Sequence, residues 1–93
     1  MFLIRTFKIE NNKIILGRTP GYYLTAEQCF RCINNNICDI FEDGYYNFAV
    51  IESIEPGLYQ DGRDIQWFYY DKKNNMVSTV APPHIQNYFI EIG

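Results

Sequence analysis

The residues of this chain with the clearest chemical reach are three cysteines and a single histidine. Cys29-Phe30-Arg31-Cys32 has the two-residue gap of a metal-ligand or redox pair, Cys38 follows closely, and His84 is the sole histidine. Together they could supply the four ligands of a tetrahedral Cys₃His zinc site. Against that, only one pair has ligand spacing, and no second C-x-x-C or histidine pair accompanies it. A redox reading is no better. Dithiol motifs place the reactive cysteine at a helix N-terminus, where the dipole lowers its pKa. Here Thr25-Ala26-Glu27-Gln28 reads as a capping box, which sets Cys29 a full turn inside the helix. The expectation is therefore that the thiols pack, with Cys29, Cys32, Cys38 and His84 as secondary metal or thiol candidates and no cofactor.

A second cluster is acidic. Asp39, Glu42 and Asp43 precede Gly44. Their spacing is not that of an EF-hand, which alternates its ligands and ends on a distant glutamate. They are expected to form a solvated loop that steers or selects a basic partner. Asp61-Gly62-Arg63-Asp64 reads first as a turn, with a surface ion pair of little energetic worth. His84 has no evident nucleophile or orienting carboxylate beside it, so no catalytic residue is assigned. Gly17-Arg18-Thr19-Pro20-Gly21 lacks the lysine and spacing of a phosphate loop.

Aromatic residues carry the remaining signal. Eight tyrosines, seven phenylalanines and one tryptophan stand in 93 residues. Side chains of a strand point alternately to opposite faces, so a strand with one wet face should alternate. Phe48-Ala49-Val50-Ile51 and Trp67-Phe68-Tyr69-Tyr70 do not. Both faces of that sheet require cover, and an aromatic face left open is a binding surface. The candidates are Trp67, Tyr69, Phe68, Tyr70 and Tyr46. If the helix packs on the face of Phe48, Val50 and Trp67, then Phe68 and Tyr70 look outward; the opposite register exposes Trp67 and Tyr69.

Composition narrows the classes. The chain is 47% hydrophobic with a formal charge of −3, and its eight basic residues are scattered apart from Lys72-Lys73. Phosphate binding draws on a Lys/Arg surplus, so nucleic acid is not an expected partner, even though RNA-binding sheets also use aromatic faces. No stretch approaches the roughly 20 apolar residues of a membrane span. The start has no signal-peptide pattern and the cysteine count is odd, which together imply a reducing, cytoplasmic setting.

These side chains must be positioned by a small set of elements. Residues 2–9 read as a strand, with Leu3, Phe7 and Ile9 on one face and Phe2 and Ile4 on the other. Asn11-Asn12 is turn chemistry, and residues 13–18 return as a second strand that Thr19-Pro20-Gly21 should break. A helix of about 12 residues starts at Thr25, with Ala26, Cys29, Phe30, Ile33 and Ile37 as its buried stripe and Asn34-Asn35-Asn36 as its end. Further strands are expected over 45–55, 65–71 and 76–80, with reversals at Pro56-Gly57, Asp61-Gly62 and Asn74-Asn75. Ala81-Pro82-Pro83 is extended, and Tyr88 to Ile92 alternates as a last strand. The expected fold is a single α+β domain over 1–93. Its mostly antiparallel, curled sheet has five to six strands in β-β-α-β-β-β-β order, with one helix on one face.

Three functional readings follow. The first is a non-enzymatic interaction or regulatory module, with a protein partner or a second copy as in a homodimer. The second is a small-ligand binder whose cleft is lined by Tyr22, Tyr46 and Trp67. The third is the zinc or thiol-reactive protein of the cysteines.

Overall fold

Two consecutive asparagines make the first structural decision. Asn11 and Asn12 hold φ of 52° and 61°, a left-handed pair that asparagine tolerates and a tight hairpin requires. They join β1 (Phe2–Glu10) to β2 (Lys13–Tyr23) as an antiparallel pair. The computed structural model describes residues 1–54 and 63–80. Within them the chain continues through α1 (Ala26–Asn34), a short 3₁₀ turn (Ile37–Asp39), β3 (Phe48–Ser53), β4 (Arg63–Asp71) and β5 (Met76–Thr79). The reversals at Pro56-Gly57 and Asp61-Gly62, the extended Ala81-Pro82-Pro83, His84 and the strand expected over Tyr88 to Ile92 lie outside the described residues.

The five strands form one antiparallel sheet in the order β2-β1-β3-β4-β5, and the helix packs on it. β2 and β3 are both antiparallel to β1, so they run the same way with β1 between them. The connection that contains α1 therefore crosses over β1, which lays the helix on one face of the sheet.

The helix begins as its sequence dictates. Thr25 Oγ1 accepts from the Gln28 amide at 3.2 Å, and Gln28 Oε1 accepts from the Thr25 amide at 3.3 Å, which closes the capping box. It is shorter than expected. Asn35 is its C-cap and Asn36 turns left-handed at φ 47°, so nine residues are helical and Ile37 falls into the 3₁₀ turn. Cys29 and Ile33 are its fully buried residues, while Phe30 stays partly exposed with its edge against Phe68.

Two other boundaries moved. β2 runs through Thr19-Pro20-Gly21 rather than stopping there. The register shifts from Ile4–Gly21 to Thr6–Arg18, so Arg5 alone faces both Thr19 and Pro20. Proline is tolerated at a bulge on an outermost strand, where its missing amide breaks no ladder. β3 starts at Phe48 instead of Tyr45, because residues 40–46 fold back on the helix side. Two more bulges explain isolated exposed isoleucines: Ile15 and Ile65 are the extra residues where Lys8–Leu16 passes to Ile9–Ile14 and Ile51–Gln66 to Glu52–Asp64.

Cross-strand register sorts the side chains. Ile4, Ala49, Ile51, Phe68 and Tyr70 face the helix and pack with Cys29, Ile33, Ile40, Phe41 and Tyr46. Phe7, Ile9, Ile14, Phe48 and Val50 cluster on the second face, with Trp67, Tyr69 and Val80 packed against them. The chain thus carries a core on each side of the sheet.

Candidate functional site

Trp67 and Tyr69 are two apart on β4 and share the second face; both are partly exposed. Register places Trp67 beside Val50 and Tyr69 beside Phe48. Neither ring is free to swing. Trp67 stacks on Phe7 at 5.7 Å between centroids with planes 27° apart, and Tyr69 lies 5.2 Å from Phe48. Phe7 and Trp67 belong to β1 and β4, so their stack bridges over β3. Val50, on the strand beneath, has no exposed surface. Gly17 makes this arrangement possible: a Cβ there would stand 2.7 Å from the Phe7 ring. The second face is therefore covered in part by its own aromatic side chains.

A part-buried ion pair lies on the same face. Arg5 Nε donates to the Glu52 carboxylate at 3.1 Å, and Arg5 Nη1 donates to Thr19 Oγ1 at 3.3 Å. The Glu52 side chain is only 4% exposed, so its charge needs this partner.

The five aromatic candidates do not form one surface. Phe68, Tyr70 and Tyr46 are buried on the helix side, at 1%, 7% and 5% exposure, and Phe41 stacks on Tyr70 at 4.7 Å. Of the two registers considered, the structure has the one that leaves Trp67 and Tyr69 on the face away from the helix. This also divides the proposed ligand cleft. Tyr22 and Trp67 share the second face while Tyr46 lies on the other, so the three cannot line one cavity.

The acidic residues are exposed, and their carboxylates are engaged locally. Asp39 Oδ1 accepts from Asn36 Nδ2 and from the Asp43 amide at 3.3 and 2.9 Å. Glu42 pairs with Arg18 at 3.0 Å and Asp43 with Lys72 at 3.3 Å. Nearby, Lys8 sits 4.4 Å from the Tyr45 ring centroid and Arg18 sits 5.3 Å from that of Tyr46. Burial, then the charge of Glu42, raises the pKa of Tyr46, while Arg18 opposes both.

The cysteines divide by depth: Cys29 is buried, Cys32 half-buried and Cys38 exposed. Burial, reinforced by Cys32, pushes the Cys29 thiol up to about 11, so it stays protonated at neutral pH. Tyr23 is pushed up to about 12, first by its hydrogen bond with Cys32, then by burial and the neighbouring thiols. Among the described residues, no group of three or more histidine, cysteine, aspartate or glutamate side chains is placed to hold a metal. His84 lies outside them. Also among the described residues, no helix is long and apolar enough to cross a membrane.

Sequence reasoning missed the Arg5–Glu52 pair and the Phe7 and Phe48 supports. Phe7 was legible on the Leu3 face of β1, but its meeting with Trp67 depends on β3 lying between their strands. Comparison with protein-family models, curated proteins and solved structures gave no match.

Proposed function

We propose that this chain is a non-enzymatic interaction module whose contact surface is the second sheet face, centred on Trp67 and Tyr69, and that the partner is a second copy of the chain. The observation that carries this reading is the pair of partly exposed rings held in place by Phe7 and Phe48. Fixed aromatic side chains on strands lose little rotamer freedom on association and supply large apolar area with a polar tip. The charges of Arg5 and Glu52 neutralise one another on this face, which removes that source of like-charge repulsion between two copies. The acidic loop at Asp39, Glu42 and Asp43 lies toward the helix side and acts on encounter rate, outside the contact.

Light scattering coupled to size exclusion, over a range of concentrations, tests the proposal. The wild-type chain should reach dimer mass, and Trp67→Ala should weaken the dimer by about 30-fold or more, as a central aromatic anchor does. The variant should stay folded at a lowered urea midpoint, because Trp67 is only partly buried and the helix-side core does not include it. A monomer at every concentration, or a Trp67→Ala protein that is simply unfolded, would overturn the reading.

A further inference from the structure

We propose that residues 36–44 form a strained strap that unfolds locally as a unit, breaking its internal hydrogen bonds and moving Phe41 off Tyr70 while the sheet stays folded. Five non-glycine residues here hold left-handed angles: Asn36, Cys38, Asp39, Glu42 and Asp43, with φ from 47° to 56°. Left-handed backbone brings Cβ against the neighbouring carbonyl. Asparagine and aspartate tolerate it; Cys38 and Glu42 have no such local relief. Strain of this kind persists only where surrounding contacts hold it.

Those contacts are few and identifiable. Phe41 is fully buried, its ring parallel to that of Tyr70 within 11°. Arg18 on β2 does most of the tying: its guanidinium pairs with Glu42 at 3.0 Å and donates to the Ile40 carbonyl at 3.2 Å. At the far end Asp43 pairs with Lys72 at 3.3 Å, and a Cβ on Gly44 would stand 2.7 Å from the Lys72 chain. The flanks are firmer. Asn35 caps the helix with its amide, and the Asn47 side chain bonds both the N–H and the C=O of Ile9 at 2.9 Å. A strained segment between two anchored ends, closed by the Phe41 ring, the buried Ile40 side chain and two exposed ion pairs, has the makings of a two-state element. When it opens, Tyr70 and Tyr46, which share its core cluster, gain an exposed side. This inference is independent of the dimer, which uses the opposite face.

Native-state hydrogen exchange on the intact chain tests it. The strap reporters are the amides of Phe41 and Glu42, which bond Asn36 Oδ1 and the Asp39 carbonyl. The strand reporters are Asn47 and Tyr70, which bond the Phe7 and Asn47 carbonyls. Strap amides should exchange with little dependence on urea, and about fivefold faster in about 1 M salt, where exposed ion pairs are screened. Arg18→Gln and Asp43→Asn should each speed the strap amides more than the strand amides. If strap and strand amides share one urea dependence in all three proteins, or if salt speeds both alike, no separate opening exists and the proposal fails.

Discussion

Replacing Asn47 by alanine isolates one device of this fold. Asn47 precedes β3, and its backbone already joins the ladder: its N–H donates to the Phe7 carbonyl at 3.0 Å and its carbonyl accepts from Tyr70 at 2.9 Å. Its side-chain amide then behaves as one more peptide unit, with Oδ1 accepting from the Ile9 N–H and Nδ2 donating to the Ile9 carbonyl, both at 2.9 Å. This extends the pairing of β1 beyond the last β3 partner, Phe48. Alanine keeps the backbone bonds and removes the side-chain pair, so two polar groups of a residue that is 5% exposed lose their partners. At about 1–1.5 kcal/mol for each partly buried group, the loss comes to about 2–3 kcal/mol. In a chain of this size that lowers Tm by about 10–20 °C. Urea titration followed by tryptophan fluorescence reads it directly, with an unchanged slope if the fold is retained. Asn47→Asp should lie at or below the alanine value, because a carboxylate keeps the acceptor and sets a negative charge against the Ile9 carbonyl. A loss under about 0.5 kcal/mol for alanine would show that water satisfies Ile9 equally well, and the amide would not be a structural mimic of the ladder.

Two further perturbations test other parts of the packing. Thr6 is fully buried between Arg18 and Ala49, and among the described residues its Oγ1 has no hydrogen-bond partner. Thr6→Val removes that hydroxyl at nearly constant volume and should stabilise the protein by about 1 kcal/mol in urea titration; destabilisation would mean that the hydroxyl is satisfied. The alkaline limb of stability should fall early. Cys29 and Tyr23 have pKa values raised above their ordinary 9 and 10, to about 11 and about 12, so the fold favours their protonated forms. Their contribution is complete below pH 9 and is lost as pH rises through about 9–12, and Cys29→Ala should flatten the first part of that decline. A urea midpoint for the wild type that stays level from pH 8 to about 11 contradicts this assignment.

Much of this structure was legible where the signal is local. The Thr25–Gln28 capping box, the Asn11-Asn12 turn and the end of the helix in Asn34-Asn35-Asn36 each depend on neighbours within four residues, and each is present. Failures came where distant strands decide. Pro20 looked like a break because proline cannot donate to a ladder, but β2 is outermost among the described strands and bulged there, so no bond was needed. Ile37 is the local exception: it continues the apolar stripe, yet the left-handed turn at the preceding Asn36 removes it from the helix. The non-alternating runs correctly implied two buried faces. They could not assign the faces, because a one-residue slip of β4 against β3 would exchange Trp67 and Tyr69 for Phe68 and Tyr70.

That assignment has a physical cause in the size of the side chains. β3 presents Ala49 and Ile51 to the helix and Phe48 and Val50 to the other face. A helix of nine residues is only about 14 Å long, and it must approach the sheet closely to bury Cys29 and Ile33. Ala49 allows that approach at the centre, and Phe68, its β4 neighbour, fills the remaining space against Phe30. On the opposite side no helix is present among the described residues, and Phe7, Phe48, Trp67 and Tyr69 lean on one another instead. The slip that would bring Trp67 to the helix side would set the chain's largest side chain beside Ala49, where the approach is closest. The packing that places the helix thus also places the tryptophan away from it. Helix packing and the aromatic face are separable by substitution: Ala49→Leu should push the helix outward and lower the urea midpoint while the Phe7–Trp67 stack stays intact, and an unchanged midpoint would refute this account.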